Sequence, residues 1–235
     1  LDAVSLLLPR LNNARSAAIR LAHARVQVTP ELKTTANIRA TIHTISHQEI
    51  SGLSSLHIAA LNGGSINAMS ATQIAAIPIP TVKDLPDTAI QALGADHAKL
   101  AAFPVSHVMA LPAGKLNQIQ QADIPFLTAA QLQGLTPEQL AGVAQNQFQG
   151  ISIAQIPLLT SAQLQNLTAQ KLGWFTNPQV QALTLEQVAQ LLPGQIATLP
   201  NPQFVQLSAA QIGALTQPQV QALTPVQIAA LTVPQ

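Results

Sequence analysis

The sequence predicts an all-α fold: a solenoid, or superhelix, of very short helices of about one to two turns each. Three observations predict this class. Units of eight residues recur through residues 46–235. Each unit opens with residues that start helices, and each places two large apolar residues three positions apart. The first 45 residues lack the repeat, and we expect them to form a separate helical cap.

The repeat is clearest in residues 128–231, where thirteen units follow one another without insertion or deletion. With the positions of a unit numbered as slots one to eight, Gln fills slot four in twelve of these units, and Ser or Thr fills slot one in ten. Looser units occupy residues 46–127, where the ten-residue unit GADHAKLAAF shifts the phase by two. Typical spellings are TPEQLAGV, TSAQLQNL and TPVQIAAL. An array this long indicates a repeat architecture.

Slots one to four match a capping box, in which a Thr hydroxyl and a Gln side chain each bond the other residue's backbone N–H at a helix start. Prolines agree with this interpretation. Of the fifteen prolines after residue 45, thirteen occupy slots one to three, where backbone N–H groups have no partner within the helix. Pro125 and Pro157 fall in slot six, and we expect such units to hold only a single 3₁₀-like turn.

Slots five and eight carry the large apolar residues and share one helical face with slots one and four. One unit buries two such side chains, worth roughly 2 kcal/mol each, which does not offset about 1.5 kcal/mol of entropy for each ordered residue. Neighbouring units must therefore stack. The alternative is a β-solenoid with a glutamine ladder. The Ala and Pro content and the three-residue apolar spacing favour helices, because a strand requires period two.

Residues 1–45 have a different character. The segments LDAVSLLLPRL and ARSAAIRLAHARV predict two amphipathic helices, and they contain Arg10, Arg15, Arg20 and Arg25. We interpret this basic region as a capping element that covers the first exposed face of the array. A basic surface for a partner or for phospholipid is the alternative.

Composition excludes several classes of function. Charged residues make up only 8% of the chain, and the array from residue 46 onward carries four Lys, no Arg and seven Asp or Glu. That balance has the wrong sign for gripping nucleic-acid phosphates. Cysteine is absent, which excludes disulfides and thiolate chemistry. No uninterrupted apolar run approaches the roughly 18 residues that span a bilayer, so we expect no membrane span.

The sequence predicts no catalytic, cofactor-binding or metal-binding residues, and we expect no enzyme. The histidines that invite a metal hypothesis are His23, His43, His47, His57, His97 and His107. His57 and His107 occupy slot four, as does His97 when it is counted from the start of its longer unit, so substitution into a capping position explains them. The carboxylates are scattered. Trp174 replaces a small residue in slot seven, and we expect a packed aromatic there rather than a binding hot spot.

Residues 135–146, LTPEQLAGVAQN, look like the opening of a repeat from the TAL-effector family of DNA-binding proteins. Those repeats are several times longer than eight residues, and the charge of this array opposes DNA binding. We therefore reject nucleic acid as a partner.

The units QALTPVQIAAL and GALTQPQVQAL resemble a second group more closely. Very long bacterial exported proteins, described as adhesion-like or haem-utilisation-like, carry tandem units spelled LT-x-x-Q-[IV]-x-A-L. The match is close over residues 129–231 and loose over residues 46–127. The resemblance implies a secreted or cell-surface bacterial scaffold and carries over no functional residues. The chain starts at Leu1 and ends on half a unit, TVPQ, so we expect it to be a segment of a longer protein.

These observations predict a non-catalytic scaffold, stalk or spacer within a larger exported protein such as an adhesin or a toxin. Two alternatives stay open. The solenoid could bind a protein, a glycan or another copy of itself, since few surface charges oppose association. A translocation segment of a toxin is a weaker alternative, because the chain lacks an apolar stretch of membrane length.

Overall fold

The computed structural model describes residues 35–233 and residue 235. Every regular element in that part of the chain is helical, so the predicted all-α solenoid of short helices is confirmed. The helices predicted in residues 1–11 and 14–26, with their four arginines, lie outside the described residues. The first α-helices are α1 (Thr35–Thr41), α2 (His47–Ile50), α3 (Ser55–Ala59), α4 (Gly63–Ala68), α5 (Ala71–Ala75), α6 (Asp87–Ala95), α7 (His97–Ala102), α8 (Val105–Ala110) and α9 (Ala113–Leu116). They are followed by α10 (Ala129–Gly134), α11 (Pro137–Gly142), α12 (Gln145–Gln149), α13 (Ser161–Gln165), α14 (Ala169–Leu172), α15 (Asn177–Gln181), α16 (Leu185–Gln190), α17 (Pro193–Thr198), α18 (Asn201–Phe204), α19 (Ala209–Gly213), α20 (Gln217–Gln221) and α21 (Pro225–Ala230).

One unit is a single capped helix bounded by extended residues. Thr128, with φ −65° and ψ 157°, accepts a hydrogen bond from the N–H of Gln131 at 3.2 Å through its hydroxyl. The Gln131 side chain in turn accepts from the N–H of Thr128 at 2.9 Å, which completes the predicted capping box. Leu135 is again extended, and Thr136 then caps α11. In such a regular unit, two extended residues in a row, in slot eight and the next slot one, end the helix after about a turn and a half.

Three units hold 3₁₀ turns, η1 (Ile79–Asp84), η2 (Gln121–Phe126) and η3 (Ile156–Leu158), within the described residues. Pro125 lies inside η2 and Pro157 inside η3, so the 3₁₀ conformation predicted for slot-six prolines is found at both. The predicted single turn holds for η3, whereas η2 runs for six residues, about two turns. A proline in slot six cannot donate the i→i−4 bond that an α-helix requires there, and the tighter i→i−3 pattern remains available to its neighbours.

The core runs through the whole described array. In a typical unit Leu164 and Leu167, in slots five and eight, are buried, and they belong to one apolar cluster that extends from Ile38 to Leu207. Each turn covers the apolar face of the turn before it. The predicted spacing of apolar residues is therefore the spacing of the core, and stacking supplies the burial that one unit lacks.

The phase shift in the looser units has a local cause. Gly94 and Ala95 extend α6 to nine residues, and Asp96 then caps α7 by accepting from the N–H of Lys99 at 3.1 Å. Lys99 therefore occupies slot four. The placement of His97 in that slot is wrong, because the two extra residues belong to the end of the preceding helix and not to the start of a new unit.

Successive turns of the superhelix are offset by about 28 residues. Hydrogen bonds between turns in the regular units join residues that are 25 positions apart, as in Gln149 and Trp174, up to 31 positions apart, as in Gln163 and Leu132. One turn therefore takes roughly three and a half units. Because this number is not whole, each helix lies across a junction between two helices of the preceding turn.

Candidate functional site: a glutamine ladder and an amide-lined groove

Slot-four glutamines connect each turn to the one before it. The Gln163 side chain is buried, and its Nε2 donates to the carbonyl oxygens of Leu132 at 2.9 Å and Leu135 at 2.7 Å. Its Oε1 accepts from the N–H of Thr160 at 2.8 Å. One side chain thus satisfies a free N–H at the start of its own helix and two carbonyls at the end of a helix in the preceding turn.

The same pair of donor bonds, to the carbonyls 31 and 28 positions earlier, recurs along the described array. We call the set the glutamine ladder. Its members are Gln73, Gln131, Gln139, Gln155, Gln163, Gln179, Gln187, Gln195, Gln211, Gln219 and Gln227. A helix leaves four N–H and four carbonyl groups unbonded at its ends, and in a helix of five or six residues these are most of the backbone. A ladder glutamine solves this problem in each unit that carries one.

The capping half of this arrangement was predicted from the sequence, and the donor half was not. A signal for it was available. A capping box accepts Glu as readily as Gln, yet twelve of the thirteen regular units have Gln. Only the amide both accepts and donates, so the preference for Gln indicates that a second partner must exist.

Two buried or half-buried replacements in slot four, His107 and Lys171, keep a donor toward the preceding turn. His107 is buried, and its Nε2 lies 2.6 Å from the carbonyl oxygen of Ile77. Lys171 Nζ donates to the carbonyl of Val143 at 2.7 Å. Burial lowers the pKa of the His107 imidazole, against a smaller upward effect of the Ile77 bond, and burial also lowers the pKa of the Lys171 ammonium. Both groups occupy sites built for a neutral amide.

His57 and His97 also have structural partners, and His23 lies outside the described residues. His57 Nδ1 lies 3.3 Å from the N–H of Ser54, so the predicted capping role of His57 is confirmed. His97 stacks on Phe126 with ring centroids 3.3 Å apart, and its Nε2 lies 3.1 Å from Asp123 Oδ1. Within residues 35–233, no group of three or more His, Asp or Glu side chains is placed to hold a metal ion.

Trp174 is half-buried against the core, as predicted, with its ring 6.2 Å from that of Phe148. Lys171 Nζ lies 4.1 Å from the Trp174 ring centroid, an additional cation–π contact. The irregular unit at residues 168–175 therefore replaces one ladder amide with a cation held between a carbonyl and an aromatic face.

A second set of amides lies on the surface in slot six and donates in the opposite direction. Gln165 Nε2 donates to the carbonyl of Gln190 at 2.7 Å, and Gln149 Nε2 donates to that of Trp174 at 3.2 Å. Each bond joins a residue to one 25 positions later. These side chains reach carbonyls at the next turn's helix ends that the buried ladder does not bind.

An open depression of about 420 Å³ interrupts this surface. Its lining consists of carboxamide side chains contributed by three turns: Gln91, Asn117, Gln118, Gln120, Gln121, Asn146 and Gln147. We call it the amide groove. A neighbouring depression of about 560 Å³ shares Gln120 and Gln121 and adds Ala122, Pro125, Gln149 and Gly150.

Gln147, which lines the groove, differs from the other slot-four glutamines of residues 128–231. Its amide oxygen is buried and has no hydrogen-bond partner. Gln147 Nε2 donates to the carbonyls of Asn117 at 3.1 Å and Ile119 at 3.3 Å. Its Oε1 has no hydrogen bond, because the N–H of Ala144 donates to Asn117 Oδ1 at 2.7 Å instead.

Comparison of the chain with protein-family models, curated proteins and solved structures finds no match. No helix in the described part of the chain combines the length and the apolar character needed to cross a bilayer.

Proposed function

We propose that this chain is a non-catalytic scaffold that holds neighbouring parts of a larger protein at a fixed separation. The glutamine ladder carries the proposal. Each rung binds two carbonyls in the preceding turn, so neighbouring turns are fastened at regular intervals in addition to sharing an apolar core. Buried hydrogen bonds are directional, and they resist sliding of one turn over another in a way that apolar packing alone does not.

The scaffold is also extendable. Each unit bonds only within itself and to units three or four places away, so added units repeat contacts that already exist. A stalk or spacer in an exported or cell-surface bacterial protein, such as an adhesin or a toxin, uses this property. The placement outside the cell rests on the resemblance of the LT-x-x-Q-[IV]-x-A-L units alone.

Inserting a second copy of residues 176–231 tests the proposal. These seven units make two turns, and packed helices lie about 8–10 Å apart, so the rod should lengthen by about 16–20 Å. Small-angle X-ray scattering measures both the maximum dimension and the cross-section. The maximum dimension should increase by this amount, whereas the cross-section should stay constant and the protein should remain monomeric.

A matched control inserts a Gly/Ser segment of the same length at the same place. The root-mean-square span of this Gly/Ser segment, about 5–6 Å × √n for n residues, is larger than the length added by the two helical turns. Its scattering, however, is that of a flexible chain. If the duplicated variant scatters like this control, or if the parent forms oligomers that depend on concentration, the spacer proposal is wrong.

A second candidate function, recognition of a protein, a glycan or another copy of the chain, is favoured by the amide groove. Recognition of a protein or a glycan is compatible with spacing, because the groove lies on the outside of the ladder-bonded turns, whereas self-association would replace the spacer proposal.

A further inference from the structure

We propose that the amide groove is a binding site for an uncharged carbohydrate. The Gln147 side-chain oxygen is buried in this groove lining and accepts no hydrogen bond. Its amide cannot be turned to remove the problem, because Nε2 faces the carbonyl oxygens of Asn117 and Ile119, and exchange of the two amide atoms would put an oxygen against two oxygens. The buried Oε1 therefore lacks a donor.

That missing donor sets this position apart from the rest of the ladder. At Gln163 and its equivalents the N-cap N–H fills the place, whereas here the N–H of Ala144 is taken by Asn117. Native proteins leave few buried polar atoms unsatisfied. Gln147 also lines the groove, so a ligand hydroxyl or amide N–H can pair with Oε1 once the side chains that cover this buried oxygen move aside.

The chemistry of the lining selects the ligand class. Every side chain around the 420 Å³ depression is Gln or Asn, so the lining carries no charge. Asn117 and Gln147 use their amides within the fold, and Gln91 donates to Gln118. Gln120, Gln121 and Asn146 are left to offer N–H donors and carbonyl acceptors to a ligand. Sugar hydroxyls both donate and accept, and they match such a surface. The charged side chains of the units that line the groove are paired: Lys115 Nζ bonds Asp87 Oδ1 at 2.6 Å, and Asp123 Oδ1 lies 3.1 Å from His97 Nε2. Opposite charges within a pair neutralise each other and leave no net attraction for an ionic ligand.

The neighbouring depression complements the first. Ala122, Pro125 and Gly150 give it small apolar surfaces beside Gln120 and Gln121. A pyranose ring has polar edges and faces of C–H groups, so one ring can bond the carboxamides while the next rests on Pro125. Two connected subsites of this kind fit an oligosaccharide of at least two residues.

A peptide fits less well. Peptide segments are recognised through backbone pairing with a sheet edge or through apolar side-chain pockets, and the amide groove offers neither. A peptide partner is therefore an outcome that the experiment can detect and that would contradict the proposal.

The test uses the whole chain and a fixed panel of probes: maltotetraose, cellotetraose and N-acetylchitotetraose as neutral oligosaccharides, tetragalacturonate as an acidic one, and an uncharged Gly/Ser/Thr peptide. Side-chain NH₂ resonances of ¹⁵N-labelled protein report binding at the carboxamides. We expect at least one neutral oligosaccharide to shift the resonances of groove residues, and neither the acidic probe nor the peptide to do so.

Variants at exposed lining positions keep the fold intact. The double variant Gln121→Ala with Asn146→Ala should weaken binding at least tenfold, whereas Gln145→Ala, an exposed Gln in the same helix that does not line the groove, should leave it unchanged. Circular dichroism confirms that all three proteins fold. The proposal is overturned if no neutral oligosaccharide binds, if the peptide or tetragalacturonate binds equally well, or if the double variant and Gln145→Ala behave alike.

Discussion

The Gln163→Ala substitution removes three hydrogen bonds at once. It leaves the N–H of Thr160 and the carbonyl of Leu135 without the side-chain partner that the structure gives them, and it leaves the carbonyl of Leu132 with only the N–H of Leu135 at 3.3 Å. Gln163 is 1% exposed, so water does not reach these groups without local opening. At about 1–3 kcal/mol for each buried unsatisfied group, reduced by partial relaxation, we expect a loss of about 3–5 kcal/mol in the free energy of unfolding.

The Gln163→Glu substitution separates the two halves of the side chain's role. A carboxylate still accepts from Thr160, as Glu49 accepts from the N–H of Ser46 at 2.8 Å. It cannot donate to Leu132 and Leu135, and its charge faces their oxygens. The loss at neutral pH should therefore be at least as large as for Ala. Folding would raise the pKa of this Glu above its unfolded value, so the stability should recover as pH falls and decrease as pH rises through the unfolded pKa.

Urea denaturation followed by circular dichroism measures both losses. Gln170→Ala is the matched control, because Gln170 is an exposed Gln of a neighbouring unit, and its loss should stay within about 0.5 kcal/mol. The reasoning is refuted if Gln163→Ala costs no more than this control. It is also refuted if Gln163→Glu is as stable as the parent at pH 7, because the capping half alone would then account for the ladder position.

Three further predictions follow from the same geometry. Because burial lowers the pKa of His107, this imidazole binds a proton more readily in the unfolded chain than in the folded one. The free energy of unfolding should therefore be constant above the ordinary imidazole pKa and should fall as pH drops below it. His107→Gln should remove this acid-side slope, which urea titrations at a series of pH values measure. Lys171→Gln should raise the urea midpoint, with a gain of about 1 kcal/mol, because a neutral amide donates to the same carbonyl without desolvating a charge. Gly150→Ala should destabilise the fold, since the new Cβ would lie 2.5 Å from the backbone oxygen of Gln121. A Cβ at Gly194 meets nothing within 4 Å, so Gly194→Ala should stabilise its helix by about 0.5–1 kcal/mol in thermal unfolding.

Each of these predictions has a contrary result. An acid-side slope that persists in His107→Gln would assign it to other groups. A lower midpoint for Lys171→Gln would mean that the contact with Trp174 outweighs the desolvation of the cation. If Gly150→Ala and Gly194→Ala changed the stability equally, the backbone oxygen of Gln121 would not lie as close to Gly150 as the structure shows.

Local features of the fold could be predicted from the sequence because they depend only on residues within one eight-residue unit. The caps, the helix length, the buried slots and the 3₁₀ turns at Pro125 and Pro157 all depend on neighbours in the chain. The His97 error shows the limit of that reasoning. Spelling alone did not reveal whether Gly94 and Ala95 end one helix or begin the next, and only the capping bond from Lys99 to Asp96 decides it.

Contacts between turns could not be predicted in the same way. When units are nearly identical, the sequence does not say whether a unit stacks on the one three, four or five places earlier. The 28-residue turn and the carbonyl partners of the ladder are consequences of three-dimensional packing. The groove depends on one further detail, that Asn117 takes the N–H of Ala144. Its only trace in the sequence is an Ala where slot one normally has Ser or Thr.

The half-integer number of units per turn explains why the two sets of amides are both needed. If a turn held four whole units, each helix would lie directly over another, and the N–H groups at its start would lie above the N–H groups of the helix below. With three and a half units, helix starts lie over helix ends. A slot-four amide such as Gln163 then reaches carbonyls in the preceding turn, while a slot-six amide such as Gln165 reaches a carbonyl in the following one. The stagger converts the unbonded ends of very short helices, which would otherwise destabilise the chain, into the bonds that fasten its turns together.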